Sequence, residues 1–361
     1  MQNLINETPA KKNYDFIDAI RCIAMISVVM EHCFYMPSQI YHPTDSLSIF
    51  TYDIVIQLVK FGTISFFLLS GFLIGEKFTV YPALQYLRKR VDNTFLPWII
   101  WVLVFCLVII ANDLVSAIQF YHGQLPPHYG LVVLGYLQMI TLYTVYWFIP
   151  NFLICIGLLL LFKRYLYSYW LGAVLFSFTI IYMFNIYYEW IEPRHSTAIF
   201  GFVFFLWLGV QFNRHLNQIK TWLDGTQLWI WVVLLVITLL AGVYETSLLK
   251  QLKSTDPYNS LRPTNILYSL CFFFTLFKIR KFKRINYLKP RETTYGIYLI
   301  HYILVYSLLP IIFPTLRLSI QHLSYAEVWC YLVARFLIAY GLTFMLVSLL
   351  NKTRAKWLIG R

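Results

Sequence analysis

Long apolar runs recur along the chain. We place ten of them, most close to the roughly 20 residues that a helix needs to cross the ~30 Å hydrocarbon layer of a bilayer. They cover residues 16–36, 54–75, 95–115, 146–162, 168–187, 198–212, 227–245, 264–277, 293–313 and 326–350. Apolar residues make up 59% of the 361 residues and charged residues only 12%, which is unusual for a soluble domain. The sequence therefore predicts an all-α, polytopic integral membrane bundle of about ten transmembrane helices.

The distribution of lysine and arginine predicts how this bundle is oriented. If the N-terminus is cytoplasmic, the segments on the inside hold 21 of the 29 basic residues and those on the outside hold five. By the positive-inside rule, both termini are expected in the cytoplasm. Because the basic residues are not gathered on one domain, the net charge of +13 does not indicate a nucleic-acid partner.

The whole chain, residues 1–361, is predicted to form one membrane domain, with a polar leader at 1–13 and a basic cytoplasmic tail at 351–361. No cleavable signal is evident, so the first span is expected to be retained. The apolar stretch 129–144 is short and is interpreted as an interfacial or re-entrant helix or as part of a span. The six cysteines are dispersed, which is typical of small buried hydrophobic residues, and no metal is expected.

Two ionisable residues, Arg21 and His32, lie in the first apolar run, where each costs several kcal/mol unless it faces protein or water. Eleven positions separate them, which corresponds to ~16 Å of helical rise and places both on one helix face. Asp18, one turn before Arg21, can pair with it, whereas Glu31 points about 100° away from His32. Structural roles are the alternative to functional ones for these residues. Arg21 could extend its charged end to the membrane surface, and His32 could serve only as a hydrogen-bonding residue between helices.

A second histidine, His301, lies in the ninth run. It follows Arg291, the last strongly basic residue before it, by ten positions, so it is expected ~15 Å above the cytoplasmic edge. His32 has a similar height above Arg21. We infer one polar cavity near the middle of the bilayer, provided that the two helices are neighbours.

The second run contains Lys60 and the small residues Gly62, Ser70, Gly71 and Gly75, which permit close helix packing or line a cavity; packing is favoured. The basic cluster Arg88, Lys89 and Arg90 follows. These positive charges are explained by the orientation of the chain in the membrane, but the cluster also suits the phosphates of a nucleotide-like donor.

Four segments resemble the membrane acyltransferase family 3, which comprises bacterial O-acyltransferases of lipopolysaccharide, capsule and related surface sugars. They are FIDAIRCIAMISVVMEH, with arginine and histidine separated by ten residues, FFLLSGFLI, the WF of YWFIPN, and YGIYLIH. They occur in the family's order and span the chain. One departure is Asn93, which stands between Arg90 and Pro97 where the family commonly has a second basic residue.

The resemblance implies a transfer reaction and roles for its residues. The donor would be acyl-coenzyme A, most simply acetyl-coenzyme A, contacted from the cytoplasm by Arg21 and by Arg88, Lys89 and Arg90. His32 would act as general base on a hydroxyl of a cell-surface or lipid-linked sugar, because a near-neutral imidazole suits that role. His301 would orient the acceptor or stabilise the oxyanion. The remaining expected pocket residues are Asp18, Ser70, Trp147 and Tyr298, and the expected location is the bacterial cytoplasmic membrane.

Other functions are compatible with parts of this pattern. A transporter or exporter would use the histidines and Lys60 as a substrate or proton path, and a non-catalytic assembly or sensor protein would need neither histidine. Segments on the outer side, around Glu189 to His195 and Lys250 to Arg262, are interpreted as solvated loops in preference to acceptor contacts. The sequence does not predict the oligomeric state.

Overall fold

The computed structural model describes residues 15–36, 40–77, 82–280, 282–315, 320 and 323–360. The predicted leader 1–13 lies outside these residues. The described part is helical without a strand, as predicted. Its α-helices are α1 (Asp15–Phe34), α2 (Ser46–Leu58), α3 (Gly62–Lys77), α4 (Ala83–Arg90), α5 (Leu96–Phe120), α6 (Tyr129–Tyr143), α7 (Phe148–Leu161), α8 (Tyr169–Tyr188), α9 (Ile199–Arg214), α10 (Leu216–Gly225), α11 (Leu228–Gln251), α12 (Pro263–Ile279), α13 (Pro290–Ile303), α14 (Leu309–Thr315) and α15 (Tyr325–Asn351).

Six helical segments of the described chain are long and apolar enough to cross a membrane, and eight are if each of two bent helix pairs is one span. The six are Ser46–Lys77, Ala83–Phe120, α8, α11, Pro290–Phe313 and α15. Of the ten predicted runs, those in α1 and α12 fall outside this set. Helix α1 carries Asp18, Arg21 and Glu31, and α12 has only 17 residues.

The two bent pairs are α6 with the Val145–Leu161 segment, at 67°, and α9 with α10, at 83°. The first contains the stretch 129–144, which therefore forms a helix of its own that turns sharply into the following segment. At this bend Thr144 adopts an extended backbone and a 3-10 turn, Val145–Trp147, follows. The bend brings Trp147 into the interior of the bundle.

Helices α3 and α9 pack backbone to backbone through two glycines. A Cβ atom on Gly71 would lie 1.9 Å from the carbonyl oxygen of Leu206, and one on Gly209 would lie 2.1 Å from that of Leu68. Small residues are the usual means by which helices approach closely in membranes. The packing role predicted for Gly71 is confirmed.

Helix α1 lies between two apolar cores. Its Ile17 and Ile20 belong to a core shared with α3, α7, α9 and α12, whereas its Met25, Val29 and Cys33 belong to a core shared with α5, α13 and α15. The polar residues of α1 therefore lie where the two cores meet.

Candidate functional site

A cavity of about 310 Å³ extends along α1 between Arg21 and His32. We call it the arginine cavity, because Arg21, Arg90 and Arg291 all line it. Its walls come from α1, α3, the start of α7, α13 and the π-helical turn Val91–Phe95, with Gly360 from the C-terminal segment. A single face of α1 thus supplies both Arg21 and His32, as the helical spacing predicts.

Asp18 holds two of the three guanidinium groups. Its Oδ1 accepts from Nη1 of Arg21 at 3.2 Å, and its Oδ2 accepts from Nε of Arg291 at 2.6 Å. Asp18 itself is not among the residues that line the cavity. Arg90 is held separately, by donation from its Nε to the Tyr86 hydroxyl at 2.8 Å. Three oriented guanidinium groups form a site suited to a phosphorylated ligand.

The other two members of the predicted basic cluster do not face this cavity. Arg88 and Lys89 are exposed, and neither lines it. One turn after Arg90, Asn93 and Thr94 line it from within the π-helical turn. π-helical turns occur often at functional sites, where they redirect side chains. The residue at which the sequence departs from the family pattern therefore contributes an amide to the cavity.

A second cavity, of about 450 Å³, lies beyond His32. We call it the loop cavity, because the loops 189–198 and 252–262 form much of its wall. Five residues line both cavities: Val28, His32, Thr63, Val145 and Trp147. The imidazole of His32 is therefore accessible at the junction of two chambers.

His301 lies beside His32, as the matched depths predict. Their ring centroids are 5.7 Å apart, and Tyr302 packs edge-on against His32 at 5.3 Å. His301 is fully buried, and its Nδ1 lies 2.9 Å from the carbonyl oxygens of Ile297 and Tyr298. Because carbonyls only accept, Nδ1 carries the proton and Nε2 is an acceptor. This Nε2 has no hydrogen-bond partner in the described structure.

His301 lines neither cavity, so the single chamber expected for both imidazoles is not found in the described part of the chain, whereas three further predicted residues do line a cavity. Ser70 lines the arginine cavity from α3. Tyr298 lines it from α13 and donates to the Val145 carbonyl at 2.8 Å. Trp147 lies between the two chambers and stacks on His195, with ring centroids 5.0 Å apart. Trp147 is thus part of the cavity wall.

The two loops of the loop cavity carry a polar cluster. His195 Nε2 lies 3.0 Å from the Ser260 hydroxyl and accepts from the Ser260 backbone N–H at 3.3 Å. Its Nδ1 lies 3.8 Å from a carboxylate oxygen of Asp256. Burial lowers the pKa of His195, and the Asp256 carboxylate partly offsets this effect. The solvated-loop interpretation does not describe Ser260, which is buried, or His195, which is only partly exposed and lines the loop cavity.

Sequence reasoning also missed one helical residue in each cavity, Glu31 in the loop cavity and Arg291 in the arginine cavity. Glu31, expected to point away from His32, lines the loop cavity with it, and its carboxylate accepts from Lys60 Nζ at 2.6 Å. In the sequence, Arg291 serves only to mark the cytoplasmic edge below His301. A signal was available, since Arg291 precedes His301 by nearly the spacing that separates Arg21 from His32.

Comparison with known proteins places this architecture in a family. The family model described as an acyltransferase domain, that of membrane acyltransferase family 3, matches residues 14–350. Searches of curated proteins and of solved structures give no match. The matched region contains both histidines, the three cavity arginines and the two loops of the second cavity. Since the match extends over nearly the whole sequence, the chain belongs to the membrane acyltransferase family 3.

Proposed function

We propose that the protein transfers an acyl group, most simply acetyl, from cytoplasmic acyl-coenzyme A to a hydroxyl of a cell-surface or lipid-linked sugar, with His32 as general base. One observation carries this proposal. His32 lines both the arginine cavity and the loop cavity, so donor and acceptor can approach the same imidazole from different chambers.

The arginine cavity is the proposed donor site. Coenzyme A carries several phosphate groups, and guanidinium groups recognise phosphate oxygens through paired, charge-assisted hydrogen bonds. Arg21 and Arg291, oriented by Asp18, and Arg90 offer these donors. The thioester arm then extends along α1 towards His32. Arg88 and Lys89 contribute at most a long-range attraction, since they lie outside the cavity.

The reaction chemistry follows from the two histidines. A sugar hydroxyl is a weak nucleophile at neutral pH, so it needs a base as it attacks the thioester carbon. His32 takes this proton, the carbon–sulfur bond breaks, and the leaving thiolate of coenzyme A receives the proton from His32. His301 presents an unprotonated Nε2, which can accept a hydrogen bond but cannot donate one to an oxyanion. Because His301 is fully buried and lines neither cavity, its position and protonation support orienting the His32 ring.

The proposal includes a membrane topology of ten spanning segments. It adds α1 and α12 to the eight segments that length and composition support. Helix α1 tolerates its charges because they face the cavities and each other. With both termini in the cytoplasm of a bacterial inner membrane, the arginine cavity faces the cytoplasm and the loop cavity faces outward.

The base role is tested by His32→Ala in a strain deleted for the gene and complemented with variants. Loss of a general base typically costs about 10²–10⁴-fold in rate, so the acyl content of surface glycans should fall to that of the deletion strain. His42→Ala is the matched control, because His42 is an exposed histidine outside both cavities. Mass spectrometry of the glycans and immunoblots of the membrane fraction give the readouts. Undiminished acylation by His32→Ala contradicts the base role.

A transporter or exporter is the second candidate, because two adjacent cavities that share a wall would also suit a substrate path. Proteoliposomes supplied with labelled acetyl-coenzyme A and membrane glycolipids separate the two. An acyltransferase releases coenzyme A and labels the glycolipid, whereas an exporter leaves the thioester intact.

A further inference from the structure

Three side chains on the wall of the loop cavity form a hydroxyl, imidazole and carboxylate series. The Ser260 hydroxyl lies 3.0 Å from His195 Nε2, and His195 Nδ1 lies 3.8 Å from the nearer oxygen of Asp256. All three residues line the loop cavity together with His32. A serine hydroxyl within hydrogen-bond reach of a base, with a carboxylate near the other nitrogen of that base, resembles the arrangement that activates serine in covalent catalysis.

The protonation of His195 fits this arrangement. The backbone N–H of Ser260 donates to Nε2, so Nε2 carries the lone pair and the proton lies on Nδ1, facing Asp256. The Ser260 hydroxyl then donates to the same Nε2. This is the tautomer that a base needs in order to accept the serine proton.

Joining the two loops does not require the Ser260 pair. Asn259 Nδ2 donates to the Pro193 carbonyl at 2.8 Å, and the backbone N–H of Thr255 donates to Glu189 at 2.7 Å. Both contacts link the same two loops. Ser260 and His195 are therefore additional to the contacts that hold the loops together, and they are the pair that faces the chamber containing His32.

We propose that Ser260 is a nucleophile that carries the acyl group covalently before the acceptor receives it, with His195 as its base and the nearby Asp256 carboxylate stabilising the imidazolium that forms. The inference rests on the proposed function, since it needs an acyl-coenzyme A donor. The two cavities share walls at Thr63, Trp147 and His32, so in this proposal the acyl group crosses only that shared wall to reach the loop cavity.

The transfer then has two balanced steps. In the first, the Ser260 oxygen bonds to the acyl carbon, the carbon–sulfur bond breaks, and the serine proton passes through His195 to the leaving thiolate. In the second, the acceptor hydroxyl attacks the serine ester and gives its proton to His32. The bond to the Ser260 oxygen breaks, and that proton returns to Ser260, which regenerates the free enzyme.

The test uses the full-length protein in nanodiscs with labelled acetyl-coenzyme A and no acceptor. The wild type should retain label after denaturation, on the peptide that contains Ser260. The label should be stable to hydroxylamine at neutral pH and released at alkaline pH, as expected for an oxygen ester. Ser260→Ala should lose the label. Ser254→Ala should keep it, because Ser254 is a hydroxyl of the same loop that donates to a backbone carbonyl and lies outside the cavity.

Ser260→Cys separates a chemical role from a structural one. If the variant becomes labelled, its label should be a thioester that neutral hydroxylamine removes, a change that a structural role would not produce. Equal labelling of Ser260→Ala and wild type, or no label on the wild type, overturns the inference. Acylation of surface glycans and donor binding, measured in parallel on the wild type, report on the proposed function separately, since direct transfer preserves both without any covalent label.

Discussion

At the scale of single residues, the arginine cavity holds three like charges close together. Their mutual repulsion is offset by Asp18, whose two oxygens bind Arg21 and Arg291. A shared carboxylate of this kind fixes the direction of both guanidinium groups and leaves their remaining N–H donors available. A bound phosphate would complete the charge balance of the cavity.

Two arginines that differ in position test whether this cavity binds the donor. Arg291→Gln should weaken binding of acetyl-coenzyme A by about tenfold, because a charged hydrogen bond of ~1.5–3 kcal/mol is lost at a partly exposed site. Arg88→Gln removes the same charge from an exposed position outside the cavity and should change binding little. Isothermal titration of the protein in nanodiscs measures both. Equal weakening by the two variants would show that only net charge attracts the donor.

Several site residues on helices were predictable from the sequence, whereas the site residues in loops were not. Arg21, His32 and His301 lie as expected because helical geometry relates spacing to direction. His195 and Ser260 lie in loops whose conformation depends on distant contacts. The fully buried Arg262, for example, donates to the carbonyls of Asn259 and Gly242 and so sets the course of the second loop. Local sequence contains no signal for such an arrangement.

At the scale of helices, apolar length identified the spans but not their breaks. The bend between α6 and α7 places Trp147 between the cavities, and the π-helical turn after Arg90 places Asn93 on the wall of the arginine cavity. Both irregularities depend on the packing partners of the helices. A hydropathy pattern contains no information about those partners. The close contact of α3 with α9 could be anticipated only in part, since Gly71 was recognisable as a packing residue while its partner helix was not.

The glycine contact between α3 and α9 makes a prediction about stability. Gly209→Ala should destabilise the protein by about 1–3 kcal/mol, because its Cβ would lie 2.1 Å from the Leu68 carbonyl oxygen and the helices must separate. Gly157→Ala should be neutral or slightly stabilising, by up to ~1 kcal/mol, since nothing lies within 4 Å of its Cβ and alanine favours helix.

Thermal unfolding of both variants in detergent, followed by the fluorescence of their buried tryptophans, compares the same substitution in two settings. Equal unfolding midpoints for the two variants would show that the contact between α3 and α9 accommodates an added methyl group without loss of stability.

At the scale of the whole molecule, α1 lies between two apolar cores, and the cavities lie along the boundary between these cores. The C-terminal segment covers part of the arginine cavity. Leu358 accepts from Trp101 Nε1 at 2.9 Å, and Gly360, with φ of +77°, lies against the arginine cavity. The predicted basic tail is therefore folded along its described length and contributes to the site.

Cysteine labelling tests the proposed orientation of the two cavities in the membrane. In a Cys330→Ser background, which removes the exposed cysteine of the described chain, Thr255→Cys should react with a membrane-impermeant maleimide in intact spheroplasts. Thr94→Cys, on the wall of the arginine cavity, should react only in inverted vesicles. The reverse pattern would place the termini outside and make the proposed donor side wrong.

The junction at His32 has a consequence for what must move during turnover. Under the proposed function, the nucleotide stays in one chamber and the sugar in the other, and the barrier between them is about as thick as the side chains that line both. Only a small uncharged acyl fragment has to cross the membrane. The protein would thereby avoid both the desolvation of a polyphosphate and the flipping of a glycan, the two movements that lipid opposes most strongly.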